Sequence, residues 1–268
     1  MPPSGMAGLR LLLVAVGLAS ASLVLSAPEA DAESWMPPPT GVDWDYQIGG
    51  VRSAPADVGI IDRDRNAAPM VGRYNICYVN AFQTQADERH FWRASPRRWR
   101  LVLKDHGHAV VDSVWGEWVL DIRTAHKRHR LRNIVGRWTD RCAADGFDAV
   151  ELDNLDSFSR SHQLISRADA RAYAALLTAR AHAAGLAVAQ KNWVELGDAG
   201  PKLGFDFAIA EECGRWRECA GYVATYGERV LDVEYRDQDF SWACTHFPDL
   251  SIVRRDVNVT PGGPAQWC

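Results

Sequence analysis

Beyond its N-terminal stretch the chain has no long apolar run, so no later segment is fit to cross a membrane. No C-x-x-C pair occurs, and the eight histidines are scattered, which leaves zinc a weak reading and sends most histidines to surface or packing roles. No fixed-period repeat is visible, which excludes a repeat architecture, and nothing marks a second domain. Charge of one sign is also scarce: the net charge is -4, so a nucleic-acid partner is not expected. What remains is a 268-residue chain, about half hydrophobic, long enough for one well-buried domain.

The one long apolar run follows Arg10, as LLLVAVGLASASLVLSA, with small residues after it. This pattern predicts a secretory signal peptide over residues 1–32, cut after Ala30-Asp31-Ala32, with a mature start at Glu33. An uncleaved anchor is the alternative. A Pro-rich linker over residues 33–43 contains Met36-Pro37-Pro38-Pro39, and the domain proper spans residues 44–268. No stable membrane insertion is expected after cleavage. The six cysteines, Cys77, Cys142, Cys213, Cys219, Cys244 and Cys268, then suggest disulfides in an exported protein. Several pairings are open. Cys213 with Cys219 is the best local pair, Cys244 with Cys268 would tie down the C-terminus, and Cys77 with Cys142 is left.

Short apolar runs alternate with helical stretches along the rest of the chain. Strand candidates are WDYQIGG from Trp44, DVGIID from Asp57, RYNICYVNAF from Arg73, EWVLDIR from Glu117, GFDAVELDN from Gly146, GLAVAQKN from Gly185, FDFAIAEE from Phe205, RVLDVEY from Arg229 and LSIVRRD from Leu250. A helix is expected from Arg167 to Ala184, with Ser166 as cap, Gly185 as stop and a stripe of Ala172, Ala175, Leu176, Ala179 and Ala183. Another is expected over Thr124 to Ala144, and the basic residues from Arg123 to Arg141 read as its solvated face. Alternating strands and helices imply parallel βαβ units and an α/β fold, a (β/α)8 TIM-type barrel. Nine candidates are one too many for eight strands, so one is an extra strand or a loop.

Many of these runs end in polar residues: Asp62; Asp121; Glu151 and Asp153; Lys191 and Asn192; Glu211 and Glu212; Glu234 and Tyr235. A (β/α) barrel collects the carboxyl ends of its strands around one pocket, so these residues would converge. Strand period places Phe147, Ala149, Glu151 and Asp153 on one face, and Phe205, Phe207, Ile209 and Glu211 on one face. Each residue also has a plainer reading. Asp153 can cap the following loop, Glu211 or Glu212 can be a loop carboxylate, Lys191-Asn192 can simply end a strand, and Glu234 can pair with a core arginine.

These segments resemble glycoside hydrolase family 114, the endo-α-1,4-polygalactosaminidases, from about Trp44 to Asp256. GFDAVELDNLDSF is similar to the family's G-F-D-G-V-E-x-D-N-x-D signature. Gly116-Glu117-Trp118 through Arg123 resembles its W-x-x-E-x-W-L-D-I-R segment, and FDFAIAEECGRWREC its F-D-F-A-x-x-E-x-C…E-C segment. WDYQIGG, AQKN and VEY match shorter family pieces. The chain departs from the family at Ala210, where Asn is usual, and in NICYVNAFQTQ, which lacks an acid often found after that strand.

The resemblance implies a barrel hydrolase that cuts α-1,4-linked galactosamine polysaccharide internally; the alternatives are a non-catalytic carbohydrate-binding barrel protein and an α-glycosidase of other specificity. By motif position Asp153 and Glu211 would be the catalytic pair. A short carboxylate separation would give retention, with Asp153 the nucleophile and Glu211 the general acid/base, an assignment of roles that sequence alone leaves open. Asp62, Asp121, Glu151, Lys191, Asn192, Glu234 and Tyr235 would form the binding shell. No metal or organic cofactor is needed, and a monomer is expected. Of the eleven tryptophans, Trp44, Trp115 and Trp193 are candidates to stack on sugar rings.

Overall fold

Eight parallel strands form the frame of the computed structural model, which describes residues 35–268 together with Met1 and Gly5. The signal peptide expected over residues 1–32 lies outside the described residues. The parallel strands are β1 (Trp44–Gln47), β2 (Ile60–Asp64), β3 (Tyr74–Asn80), β4 (Ala149–Asp153), β5 (Ala187–Lys191), β6 (Phe207–Glu211), β7 (Val230–Glu234) and β8 (Ser251–Arg254). They lie in sequence order, each paired in parallel with the next, and β9 (Gln266–Trp267) adds antiparallel to β8. No ladder joins β8 to β1. Side chains close that seam instead: Ser251 Oγ donates to the Val42 carbonyl at 2.6 Å and Trp267 Nε1 to the Trp44 carbonyl at 2.8 Å.

The pleat divides the core in two, as a TIM-type barrel requires. Trp44, Tyr46, Ile60, Ile76, Ala149, Ala189, Phe207, Ile209 and Val233 fill the interior. Val150, Leu152, Val188, Ala208 and Ile252 point the other way and pack against the helices. Those helices include α1 (Ala125–Asp145), α2 (Arg167–Ala183), α3 (Cys219–Tyr226) and α4 (Asp237–His246). Thr124 caps α1, and Ser166 and Asp169 form a reciprocal capping box on α2. Among the described residues no helix is long and apolar enough to cross a membrane.

The sequence reading is corrected at three places here. The surplus strand is EWVLDIR, of which Glu117–Trp118 forms a two-stranded antiparallel ladder with Val111–Asp112, while Val119 and Leu120 make only isolated bridges to Gln83 and Val102. It belongs to the long excursion between β3 and α1, not to the barrel. On α2 the buried stripe is Ala170, Tyr173, Ala174, Leu177, Thr178 and Ala181. The expected stripe is rotated from it because alanine is spread around the whole helix. The bulky Tyr173, packed edge-on to Phe82, selects the face. Trp44 is not at the surface: it is fully buried inside the barrel.

Three disulfides take up all six cysteines: Cys77–Cys142 ties β3 to α1, Cys213–Cys219 closes the turn after β6, and Cys244–Cys268 pins the C-terminus to α4.

Candidate active site

The apolar interior ends in a polar layer at the carboxyl ends of the strands. Along β4 the inward row runs Ala149, Glu151, Asp153; along β5 it runs Ala187, Ala189, Lys191; along β6 it runs Phe207, Ile209, Glu211. Tyr46 on β1, Asp62 on β2, Tyr78 on β3 and Tyr235 after β7 complete the layer by the same alternation. Each of the three rows stops abruptly. Asn154, Asn192 and Glu212, the next residues, all take left-handed backbone at φ 64°, 52° and 61°. Such a conformation costs about 1–2 kcal/mol in a residue with a Cβ. Three such turns at one rim fix where Asp153, Lys191 and Glu211 stand.

Lys191 is the centre of the layer. Its ammonium is 2 % exposed and lies 2.5 Å from Glu151, 3.4 Å from Asp153 and 3.8 Å from Glu211, while donating to Tyr46 Oη at 2.8 Å. Burial alone would strip its proton, but the carboxylates of Asp153, Glu151 and Glu211 outweigh burial and hold it charged. Asp153 and Glu211 both lean on this one nitrogen. Their nearest oxygens are therefore no farther apart than those two contacts together, about 7 Å.

The two acids have different surroundings. Burial pushes the Asp153 carboxyl up, but Lys191, the Tyr78 hydroxyl at 2.7 Å and Asn154 together bring it below the ordinary carboxylate range. Glu211 accepts from the Tyr235 hydroxyl, and its own backbone N–H donates to Asn192 Oδ1 at 2.9 Å. Beneath them Asp62 and Glu151 are fully buried. Burial and the neighbouring Glu151 push Asp62 far up, so it keeps a proton to share with Glu151, whose Oε2 has no other partner.

Above this layer opens a cavity of about 350 Å³, within the range of small-ligand clefts. Its walls include Trp115, Glu117, Asp156, Arg160 and Asn258, with Asp153, Lys191, Asn192, Glu211 and Tyr235 at the base. Trp115 is 46 % exposed there, and Trp216, 61 % exposed, lines an adjoining hollow together with Trp115 and Glu211.

The sequence profile of glycoside-hydrolase family GH114 matches residues 25–268. The chain belongs to that family. Among solved structures it is similar to Ega3 of Aspergillus fumigatus, seen in complex with galactosamine, at TM-score 0.71 and 22 % identity, covering 88 % of this chain and 98 % of that one. It is also similar to the glycoside hydrolase domain of PelA from Pseudomonas aeruginosa, in its E218A variant, at TM-score 0.60 and 14 % identity, covering 84 % and 98 %. At these identities the likeness establishes the TIM-type fold. No curated protein matches the chain in sequence.

Two of the site residues expected from sequence lie away from the cleft of this glycoside hydrolase. Asp121 turns to Arg123 at 2.8 Å and to Lys127; those partners overcome burial and keep its carboxyl low. Glu234 is on the outward parity of β7, where its Oε1 accepts from the backbone N–H of Gly214 at 2.5 Å and Arg215 at 3.3 Å. Trp193 is buried against Phe158. Cys213, Cys219 and Asp232 lie close enough to ligate one ion, but the two sulfurs are bonded to each other. Conversely, Tyr46, Tyr78 and Glu117 were not singled out from sequence. Tyr46 and Tyr78 carried a signal, since they share the inward parity of Trp44 and Ile76. Glu117 carried none beyond its place in the family segment.

Proposed function

We propose that this hydrolase is an exported, endo-acting enzyme that cuts α-1,4-linked galactosamine polysaccharide with retention of configuration. The observation that supports this best is the pair Asp153 and Glu211, from two separate strand ends, leaning on one buried ammonium at the base of the cleft. Retaining enzymes hold their carboxyl groups about 5–5.5 Å apart and inverting ones about 6.5–9.5 Å, and the upper bound set by Lys191 admits the retaining separation.

In the first step an Asp153 oxygen attacks the anomeric carbon while Glu211 gives its proton to the departing glycosidic oxygen. One sugar leaves as an alcohol and the other stays esterified to Asp153. In the second step Glu211 takes a proton from water, the hydroxide oxygen bonds to the anomeric carbon, and the Asp153 carboxylate is released. Lys191, Tyr78 and Asn154 favour the ionised Asp153 that attacks and later leaves. The exposed rings of Trp115 and Trp216 suit stacking on sugar faces along the cleft. Asp62, Glu151, Asn192 and Tyr235 act as the supporting shell.

The substrate class follows from charge. Carboxylates gathered in one cleft attract a polymer whose deacetylated units carry ammonium groups. A full set of disulfides behind an apolar leader supports export. The test uses secreted protein, whose first residue by N-terminal sequencing should be Glu33. It is incubated with deacetylated galactosamine oligomers and, in parallel, with neutral galactosides, and products are read by mass spectrometry. Internal cleavage of the amino-sugar oligomers alone is expected. Cleavage of the neutral galactosides alone would overturn the substrate assignment.

A further inference from the structure

One acid on the cleft wall has no part in the two steps above. Glu117 comes from the excursion between β3 and α1, and its Oε2 accepts from Asn80 Nδ2 at 2.8 Å and Asn154 Nδ2 at 3.4 Å. The same Asn154 amide donates to Asp153 Oδ2 at 3.2 Å, so Glu117 and Asp153 are held one amide apart. The other acids lining the cleft have cations: Asp112 and Asp156 pair with Arg160 at 2.9 and 2.7 Å, and Asp153 and Glu211 share Lys191. Among the described residues no lysine or arginine forms an ion pair with Glu117, and its Oε1 accepts no hydrogen bond. Burial dominates its surroundings, with Asp153 and Asp112 repelling and Asn80 and Arg160 only partly compensating, and pushes its carboxyl up to about 8.

We propose that Glu117 receives the 2-ammonium of the sugar that Asp153 attacks, and so sets the preference for amino sugars over their N-acetylated forms. This rests on the galactosamine reading above. The geometry runs through Asp153. A nucleophile bonded to the anomeric carbon has the 2-substituent one carbon away. Lys191 occupies the Oδ1 side of Asp153, where a second cation would be repelled. The ammonium is thereby confined to the Oδ2 side, which belongs to Tyr78, Asn154 and, one amide farther, Glu117. There it supplies the countercharge that Glu117 lacks. On binding near neutral pH, Glu117 gives its proton to bulk solvent. An N-acetyl group brings no charge and leaves Glu117 protonated.

Two readouts test this. The Glu211→Gln protein, which binds without turnover, is titrated with a deacetylated galactosamine oligomer at pH 7 by calorimetry in buffers of different ionisation enthalpy. Release of most of one proton is expected, and almost none once Glu117→Gln is added. With Glu211 intact, Glu117→Gln should lower kcat/KM on deacetylated oligomers by about tenfold or more, mainly through KM, and by less than about threefold on N-acetylated ones. Equal losses on both substrates, or proton release that survives the substitution, would overturn the assignment. If the wild-type protein cleaves amino-sugar oligomers and Glu117→Gln keeps the same preference, only Glu117 is misassigned. If the wild-type protein cleaves none, the galactosamine reading fails and Glu117 falls with it.

Discussion

Along the barrel rim, Glu151, Asp153 and Glu211 stand on the inward parity of their strands, whereas Asp232 and Glu234 stand on the outward parity of β7. Both groups contain a buried carboxyl pair that shares a proton, Asp62 with Glu151 inside and Asp232 with Glu234 outside. The inner pair has the Lys191 ammonium beside it and a cleft above. The outer pair has only backbone N–H groups of the turn after β6, from Cys213, Gly214 and Arg215. Identical residue types thus take different work from one step of strand parity. Inward, their charge is tuned by a cation and reaches a ligand space. Outward, they anchor the turn that follows Glu211.

The largest effects should come from the two inward acids that reach the cleft. Asp153→Asn and Glu211→Gln keep shape and remove the ionisable group. Each is expected to lower kcat by about 10³-fold or more while the protein stays folded. The two should also separate on an activated substrate whose leaving group needs no proton. Glu211→Gln should still form its glycosyl intermediate and be rescued by azide, and Asp153→Asn should form none. Near wild-type turnover in both folded variants would erase the contrast between the two rows. An azide product of retained configuration from the Asp153 variant would exchange the two roles, whereas an inverted one would be single displacement by azide in place of the missing nucleophile.

How far the sequence carries this contrast is clearest on β6 and β7. In FDFAIAEE, alternation sets Phe207, Ile209 and Glu211 on one face, and the structure places that face inward. The same rule applied to LDVEY sets Leu231, Val233 and Tyr235 inward and Glu234 outward. Reading VEY as a pool of polar strand-end residues lost that distinction. The eight parallel strands were legible because buried parallel strands are continuous apolar runs with polar stops. EWVLDIR imitates one, but it lies in an excursion whose ladders are two residues long, too short for periodicity to act on. That Lys191 would converge with Glu151, Asp153 and Glu211 was legible from the strand ends, but its place as their shared buried cation was not. It depends on the neighbours β4 and β6 supply across the sheet, and no local pattern encodes them.

Lys191→Met should give the next largest effect, because the substitution leaves the inner carboxylates without their cation. With the ammonium gone, burial prevails at Asp153 and its carboxyl moves up. A nucleophile that ionises at higher pH loses activity first on the acid side. The expected outcome is a kcat about 10²-fold lower and an acid limb of the pH–rate profile displaced to higher pH. An unmoved acid limb would show that Lys191 does not govern the ionisation of Asp153, and the inner row would then resemble the outer one electrostatically.

The smallest effect on turnover is expected from Glu234→Gln, and its signature is in stability. Burial pushes Glu234 up to about 7, against the N–H groups of Gly214 and Arg215 and with the help of Asp239 and Glu212. In the unfolded chain a glutamate ionises near 4.3, so the folded state binds the extra proton between those values. The stability this contributes is fully present below about pH 4.3 and is lost as pH rises through about 7. Asp232, pushed up by burial and by the Glu234 charge, acts in the same direction. A glutamine at 234 keeps an oxygen for the Gly214 N–H and offers its amide N–H to Asp232 in place of the shared proton. The variant should match the wild-type Tm near pH 5 and exceed it near pH 8, by about 3–6 °C for a domain of this size. Its kcat should stay within about threefold of wild type, since the cleft is not touched. Thermal melts at the two pH values, paired with turnover, decide it. A Tm difference that does not grow with pH removes the shared proton from the outer pair. A loss of kcat comparable to that of Lys191→Met would mean that the anchored turn, through Glu211, belongs to the catalytic apparatus after all.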